Sequence, residues 1–153
     1  MGVIKSLLGN KVLISALFSW FMAQFIKIVI EIIKRNKLKT KDFILRAIFG
    51  TGGIPSSHSA SITAVAVSIG FESGFGSPLF ALAIVLVIIV IRDATGVRLS
   101  AGTQANKINQ ILEKIKDGDE IGKVKEVRGH TPLECFVGLL VGLLVSLGIY
   151  LIK

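Results

Sequence analysis

Acidic side chains are scarce in this 153-residue sequence: 10 Asp and Glu stand against 18 Lys and Arg, a net charge of +8. Sulfur is scarcer still. With Cys135 as its only cysteine, the chain can form no internal disulfide, and thiols say nothing about compartment. No lysine follows the last glycine of the Gly50–Gly53 stretch, which excludes a Walker-type nucleotide loop. Asp117-Gly-Asp-Glu120 lacks the spacing of a calcium loop and reads as a solvated turn, so no metal site is expected. There is no internal repeat and no low-complexity tract.

Charge is also missing from two long stretches. Val12 to Ile33 runs 22 residues with only Gln24, Lys27 and Glu31 strongly polar, and Leu133 to Ile152 runs 20 residues with Glu134 as its only charge. An apolar run of about 20 residues crosses a bilayer as a helix. The first run follows Lys5 and Lys11 as a signal peptide would, but it is too long for an h-region and no A-x-A-like site closes it, so it reads as a retained span. Two shorter segments join these. Ser59 to Phe71 is rich in Ser, Ala and Gly, which suits close helix contact inside a bundle. Leu79 to Ile91 is unbroken and apolar, enters through Pro78, and gains length if it continues past Arg92. Gly138 and Gly142 form a G-x-x-x-G packing pair in the last segment.

The expected fold is all-α: a single membrane domain over residues 1–153, with about four transmembrane helices. Lys34 to Arg46 carries six Lys and Arg, Arg92 to Arg128 carries eight, and Glu72 to Ser77 carries none. The positive-inside rule places both basic connections in the cytoplasm and both termini outside. It also accounts for the net charge without a nucleic-acid partner. Ala105, Ile108, Ile111, Leu112 and Ile115 recur at helical spacing, predicting an amphipathic helix on the cytoplasmic side.

On this topology the only two histidines, His58 and His130, share one depth at the cytoplasmic boundary, each at the start of a hydrophobic helix. Around His58, Gly53, Pro55, Ser56 and Ser57 read as a tight approach and a capped helix start, whose free N–H groups suit an anion. An incidental histidine beside an ordinary cap is the alternative. His130 and Glu134 lie four apart on one helical face, where a carboxylate can orient an imidazole. Thr131-Pro-Leu-Glu134 equally matches a structural capping box. Arg92, Asp93 and Arg98, followed by Gln104 and Asn106, form a third polar cluster; arginine forks suit a phosphoryl group. Gln24, Lys27 and Glu31 make one polar stripe facing the bundle, with either a phosphate contact or a Lys27–Glu31 pair as its purpose.

Together these segments resemble the type 2 phosphatidic acid phosphatase superfamily, which includes the vanadium haloperoxidases, and more closely its small divergent branch. Gly52-Gly-Ile-Pro-Ser-Ser-His58-Ser-Ala, Asp93-Ala-Thr-Gly-Val-Arg98 and Lys125-Glu-Val-Arg-Gly-His130-Thr-Pro-Leu-Glu134 carry the resemblance, which runs from about Gln24 to Gly142. It implies His130 as the nucleophile that becomes phosphohistidine, Glu134 as its orienter, His58 as the acid for the leaving oxygen, and Lys27 as a phosphate ligand. Several positions depart from the superfamily pattern: Ser57 replaces a glycine and Glu134 an aspartate. Lys34 and Arg35 stand where arginine and proline belong, and Val124 stands where the last motif has arginine. Arg46, Arg92 and Arg98 are the cations available to substitute, and dimerisation is another way to complete the site.

The implied activity is hydrolysis of a phosphomonoester or diphosphate on a membrane lipid, in the cell membrane of a bacterium. Phosphatidate, phosphatidylglycerol phosphate and polyprenyl diphosphate all remain open as substrates, and no cofactor is implied. The alternative is a protein that binds or transports anionic lipid in the same pocket without turnover.

Overall fold

The computed structural model describes residues 2–35, 53–115, 122–126 and 129–152. All regular structure among them is helical. A short helix α1 (Gly2–Leu8) leads into α2 (Lys11–Arg35), followed by α3 (Ser57–Ser73), α4 (Pro78–Arg92), α5 (Arg98–Leu112) and α6 (Pro132–Leu151). Asn10 caps α2, its side-chain oxygen accepting from the N–H groups of Val12 and Leu13. Ser77 caps α4 through the Phe80 N–H at 3.1 Å, with Pro78 in the first turn, where its missing N–H costs nothing.

Among the described residues, three helices are long and apolar enough to cross a membrane: Lys11–Ile33, Pro78–Leu112 and Pro132–Leu151. The middle one joins α4 to α5 through a π-helical segment, Asp93–Val97. The apolar run after Pro78 therefore does continue past Arg92. Its 35 residues span about 52 Å at 1.5 Å per residue, well beyond a hydrocarbon core of about 30 Å. The helix expected on the cytoplasmic side is thus the projecting end of a span. Of its apolar positions, Ala105 is buried while Ile108, Ile111 and Ile115 are exposed.

The 17-residue α3 packs against α2, α4 and α6. Its composition explains how. Most buried positions of the bundle are small: Ser15, Ser19 and Ala23 on α2, Ser59, Ala60, Ala64, Ala66 and Ser68 on α3, and Gly138, Gly142 and Ser146 on α6. Large apolar side chains such as Phe18, Phe25, Leu82, Ile88, Phe136 and Leu144 point outward. A water-soluble fold puts those residues inside. Lipid tails are as apolar as leucine, so here the helices gain by close backbone approach and by hydrogen bonds across the seam.

The seam between α3 and α6 shows both devices. A Cβ added at Gly138 would strike the Ser56 carbonyl, and one at Gly142 would strike the Ala60 carbonyl. Farther along, the Ser146 hydroxyl donates to the Ala64 carbonyl at 2.9 Å and meets the Ser68 hydroxyl at 3.1 Å. At the far end of the bundle Tyr150 stacks on Phe71 with ring centroids 4.8 Å apart, and its hydroxyl donates to Glu72 at 2.8 Å. The Lys11 ammonium sits 5.1 Å from the Tyr150 ring centroid. An aromatic cluster with charged partners suits a bilayer interface, and the two histidines lie at the opposite ends of α3 and α6.

Candidate functional site

The first turns of α3 and α6 are tied together by Glu134. Its carbonyl accepts from the Ser56 N–H at 2.9 Å. One carboxylate oxygen accepts from the Gly53 N–H at 3.2 Å and the other from the Thr131 N–H at 3.0 Å. The Thr131 hydroxyl returns a bond from the Glu134 N–H, completing the capping box. Gly53 has φ near +97°, a region that glycine enters without cost. The Gly53 segment is thereby pinned onto the start of α6, 81 positions away in sequence.

The π segment supplies the third tie. Its wide turn bonds Arg98 N–H to the Asp93 carbonyl, and the Ala94 carbonyl accepts from His130 N–H at 3.0 Å. Gly129 lies so close to the backbone of Leu99 that a Cβ there would clash. Segments of this kind inside α-helices recur at functional sites. Here the segment fixes the backbone of His130 against α4 and α5.

These three ties bring the two histidines together, with ring centroids 6.3 Å apart and planes 77° from parallel. His130 is 5% exposed, whereas His58 is open to solvent. Lys27 is 8% exposed, and its methylene stem runs beside Gly53, within 3.7 Å of where a Cβ would stand. Its charge acts on His58, His130 and Glu134, and Arg98 acts on both imidazoles. Arg98 is itself paired with Asp93 at 2.5 Å, in a partly exposed bridge. Gln24 is buried on the same α2 face as Lys27.

Several expected contacts turn out differently. Ser56 is fully buried; its N–H donates to the Glu134 carbonyl and its hydroxyl oxygen accepts from the Ser59 N–H and hydroxyl, so it caps α3. Ser57 is buried as well. Glu134 orients the site through backbone groups, since both oxygens serve N–H groups while His130 Nδ1 is buried with no hydrogen-bond partner. Arg92 and Gln104 are exposed and make no hydrogen bond or ion pair among the described residues. Arg46 lies outside the described residues.

Beside the histidines an open cleft of about 380 Å³ is floored by Gly53, Gly102 and Gly129. Its polar walls come from Thr103, Asn106, Glu126, Thr131 and Glu134. Asn106 and Asn109 both donate to Glu126, and Asn109 also clamps the backbone of Val124 with bonds of 2.8 and 2.9 Å. Thr103, Asn109 and Glu126 carry no signal in the sequence, because their roles depend on segment 122–126 lying along α5. No group of three or more metal-ligating side chains occurs among the described residues.

The arrangement can bind an anion between two imidazoles, with a buried ammonium and a guanidinium nearby. A family model described as "Divergent PAP2 family" matches residues 8–145, covering α2 through most of α6. The chain belongs to this family. It is also similar to an uncharacterized membrane protein of Bacillus subtilis (strain 168), YuiD, at 39% identity over 154 residues, covering 92% of this chain and 94% of the relative. No solved structure matches the chain. Membership of the divergent PAP2 family and the three long apolar helices together identify an integral membrane protein built as a helical bundle. In this member His58, His130 and Lys27 share one end of that bundle.

Proposed function

We propose that the chain is a membrane lipid-phosphate phosphatase acting through a phosphohistidine on His130, with its site on the cytoplasmic side. The pairing of His58 and His130 at 6.3 Å carries this reading. Two rings at that separation can flank one phosphorus, with about 3–3.5 Å from each reacting nitrogen to its target atom. The charge bias of the connections supports the cytoplasmic placement.

A nitrogen of neutral His130 attacks phosphorus, forming the P–N bond as the bond to the lipid oxygen breaks. His58, protonated, gives its proton to that oxygen. A water then attacks the phosphohistidine and gives its proton to His58, releasing phosphate and restoring His130. Lys27 and Arg98 offset the charge on the phosphoryl oxygens. Glu134 holds the two helix starts in register, and its negative charge favours the cationic phosphoimidazole.

Burial is the main cause holding the His130 imidazole below the ordinary value of 6.5; Glu134 opposes the shift, and Lys27, His58 and Arg98 reinforce it. The sign follows directly. A lowered pKa keeps His130 neutral, hence nucleophilic, as pH falls through 6.5, and the group is lost only when pH drops through the lower value. Purified protein is expected to release phosphate from at least one of phosphatidate, phosphatidylglycerol phosphate and polyprenyl diphosphate. The acid limb of kcat/KM should have its midpoint below 6.5. No release from any of the three, with binding intact, would assign the pocket to lipid binding instead.

A further inference from the structure

The cleft beside the imidazoles differs in chemistry from the imidazole end itself. Among the described residues, no lysine or arginine lines it. Its groups can be audited one at a time. Glu126 Oε1 accepts from Asn106 and Asn109, and its other oxygen has no donor among the described residues. The Thr103 hydroxyl spends its proton on the Leu99 carbonyl at 2.9 Å, so toward the cleft it can only accept. Each Glu134 oxygen takes one N–H and keeps a further lone pair. The Thr131 hydroxyl accepts from the Glu134 N–H and retains one donor. Asn106 gives one N–H to Glu126 and keeps another, while its oxygen accepts from Gln110. Among the described residues the walls therefore carry two carboxylates, with Asn106 and Thr131 as their side-chain donors. A phosphate, which offers only acceptors when fully ionised, does not match them.

From this audit we infer that the cleft holds the part of the substrate beyond the scissile oxygen, and that this part is a hydroxyl-bearing headgroup. The inference rests on the phosphatase reading above, because the phosphate is then held at His58 and His130 and the leaving oxygen points along the cleft. The volume of about 380 Å³ falls in the range of about 300–1,000 Å³ for small-ligand sites. Glycines at 53, 102 and 129 are part of its lining. A hydroxyl donor satisfies Glu126 and Thr103, whereas an alkyl chain in the same place would strip water from them with no replacement.

The test compares two lipids of equal charge and equal acyl chains: phosphatidylglycerol phosphate and its analogue built on propane-1,3-diol, which lacks only the central hydroxyl. Binding is measured in nanodiscs to full-length His58→Ala protein; His58 is exposed, so this change leaves the core intact. The hydroxylated lipid is expected to bind about tenfold more tightly. Adding Glu126→Gln, or separately Thr103→Val, should reduce that ratio to about threefold or less, the second variant guarding against disturbance of the Asn106 and Asn109 bonds. Equal affinities, or a ratio untouched by both variants, would overturn the inference. Turnover by the wild-type protein is assayed beside it. A hydroxyl preference without turnover sinks the phosphatase reading and leaves the cleft assignment standing. Turnover without preference does the reverse.

Discussion

Replacing His130 with alanine is expected to lower phosphate release from a lipid phosphate by at least about a thousandfold, because it removes the atom that forms the covalent intermediate. The loss should appear in kcat, with lipid binding weakened far less, since Lys27, Arg98 and the cleft walls remain. His58→Ala is expected to cost less, about 10²–10⁴-fold, the usual worth of a general acid. The ordering of these two losses matters more than their sizes. A nucleophile cannot be bypassed, whereas a leaving oxygen can take its proton from water. Equal rates for wild type and both variants would remove the two histidines from the mechanism. Folding is checked by thermal melts of each protein, because His130 is buried while His58 is exposed.

The second large effect lies far from the chemistry. Gly142→Val should disable the protein by prising α3 from α6. A Cβ at position 142 already meets the Ala60 carbonyl and lies 2.9 Å from Thr63 Cβ. Backbone cannot rotate away as a side chain can, so the helices must separate. Overpacking of this kind costs about 1–3 kcal/mol or more. The same separation stretches the bonds of Ser146 to Ser68 and Ala64, and the Ser56–Glu134 bond that registers the two histidine-bearing helix starts. Melting temperature and phosphate release should therefore fall together. Gly148→Ala is the matched control, because a Cβ there meets nothing within 4 Å; it should leave both quantities unchanged.

Much of this architecture is legible in the sequence, for identifiable reasons. Runs such as Val12–Ile33 and Leu133–Ile152 are set by bilayer thickness, which needs no knowledge of partners. The G-x-x-x-G pair reads as a packing face because small residues in lipid have little other use. His58 and His130 share a depth on charge bias alone, and the structure brings their rings together at the same end of the bundle.

What the sequence hides is the partner on the other side of each contact. Local spacing shows that Glu134 suits a capping box, but not that its second oxygen serves Gly53, 81 residues earlier. Nothing local marks the π segment that carries α4 into α5, or the Ala94 carbonyl that holds His130. Ser56 reads as a helix cap, but nothing local shows that an α6 carbonyl takes its N–H. Arg98 looks free until Asp93 is seen across one wide turn. In each case the type of residue was informative and its engagement was decided by tertiary contact.

The central claim is that phosphate passes through His130, and trapping the intermediate tests it most directly. Wild-type protein in lipid micelles would be mixed with a lipid carrying labelled phosphate, quenched in alkali, and digested for mass spectrometry. The predicted result is an alkali-stable, acid-labile phosphate on the peptide containing His130, absent from His130→Ala. Steady release of phosphate with no label on His130 at any quench time would contradict the account.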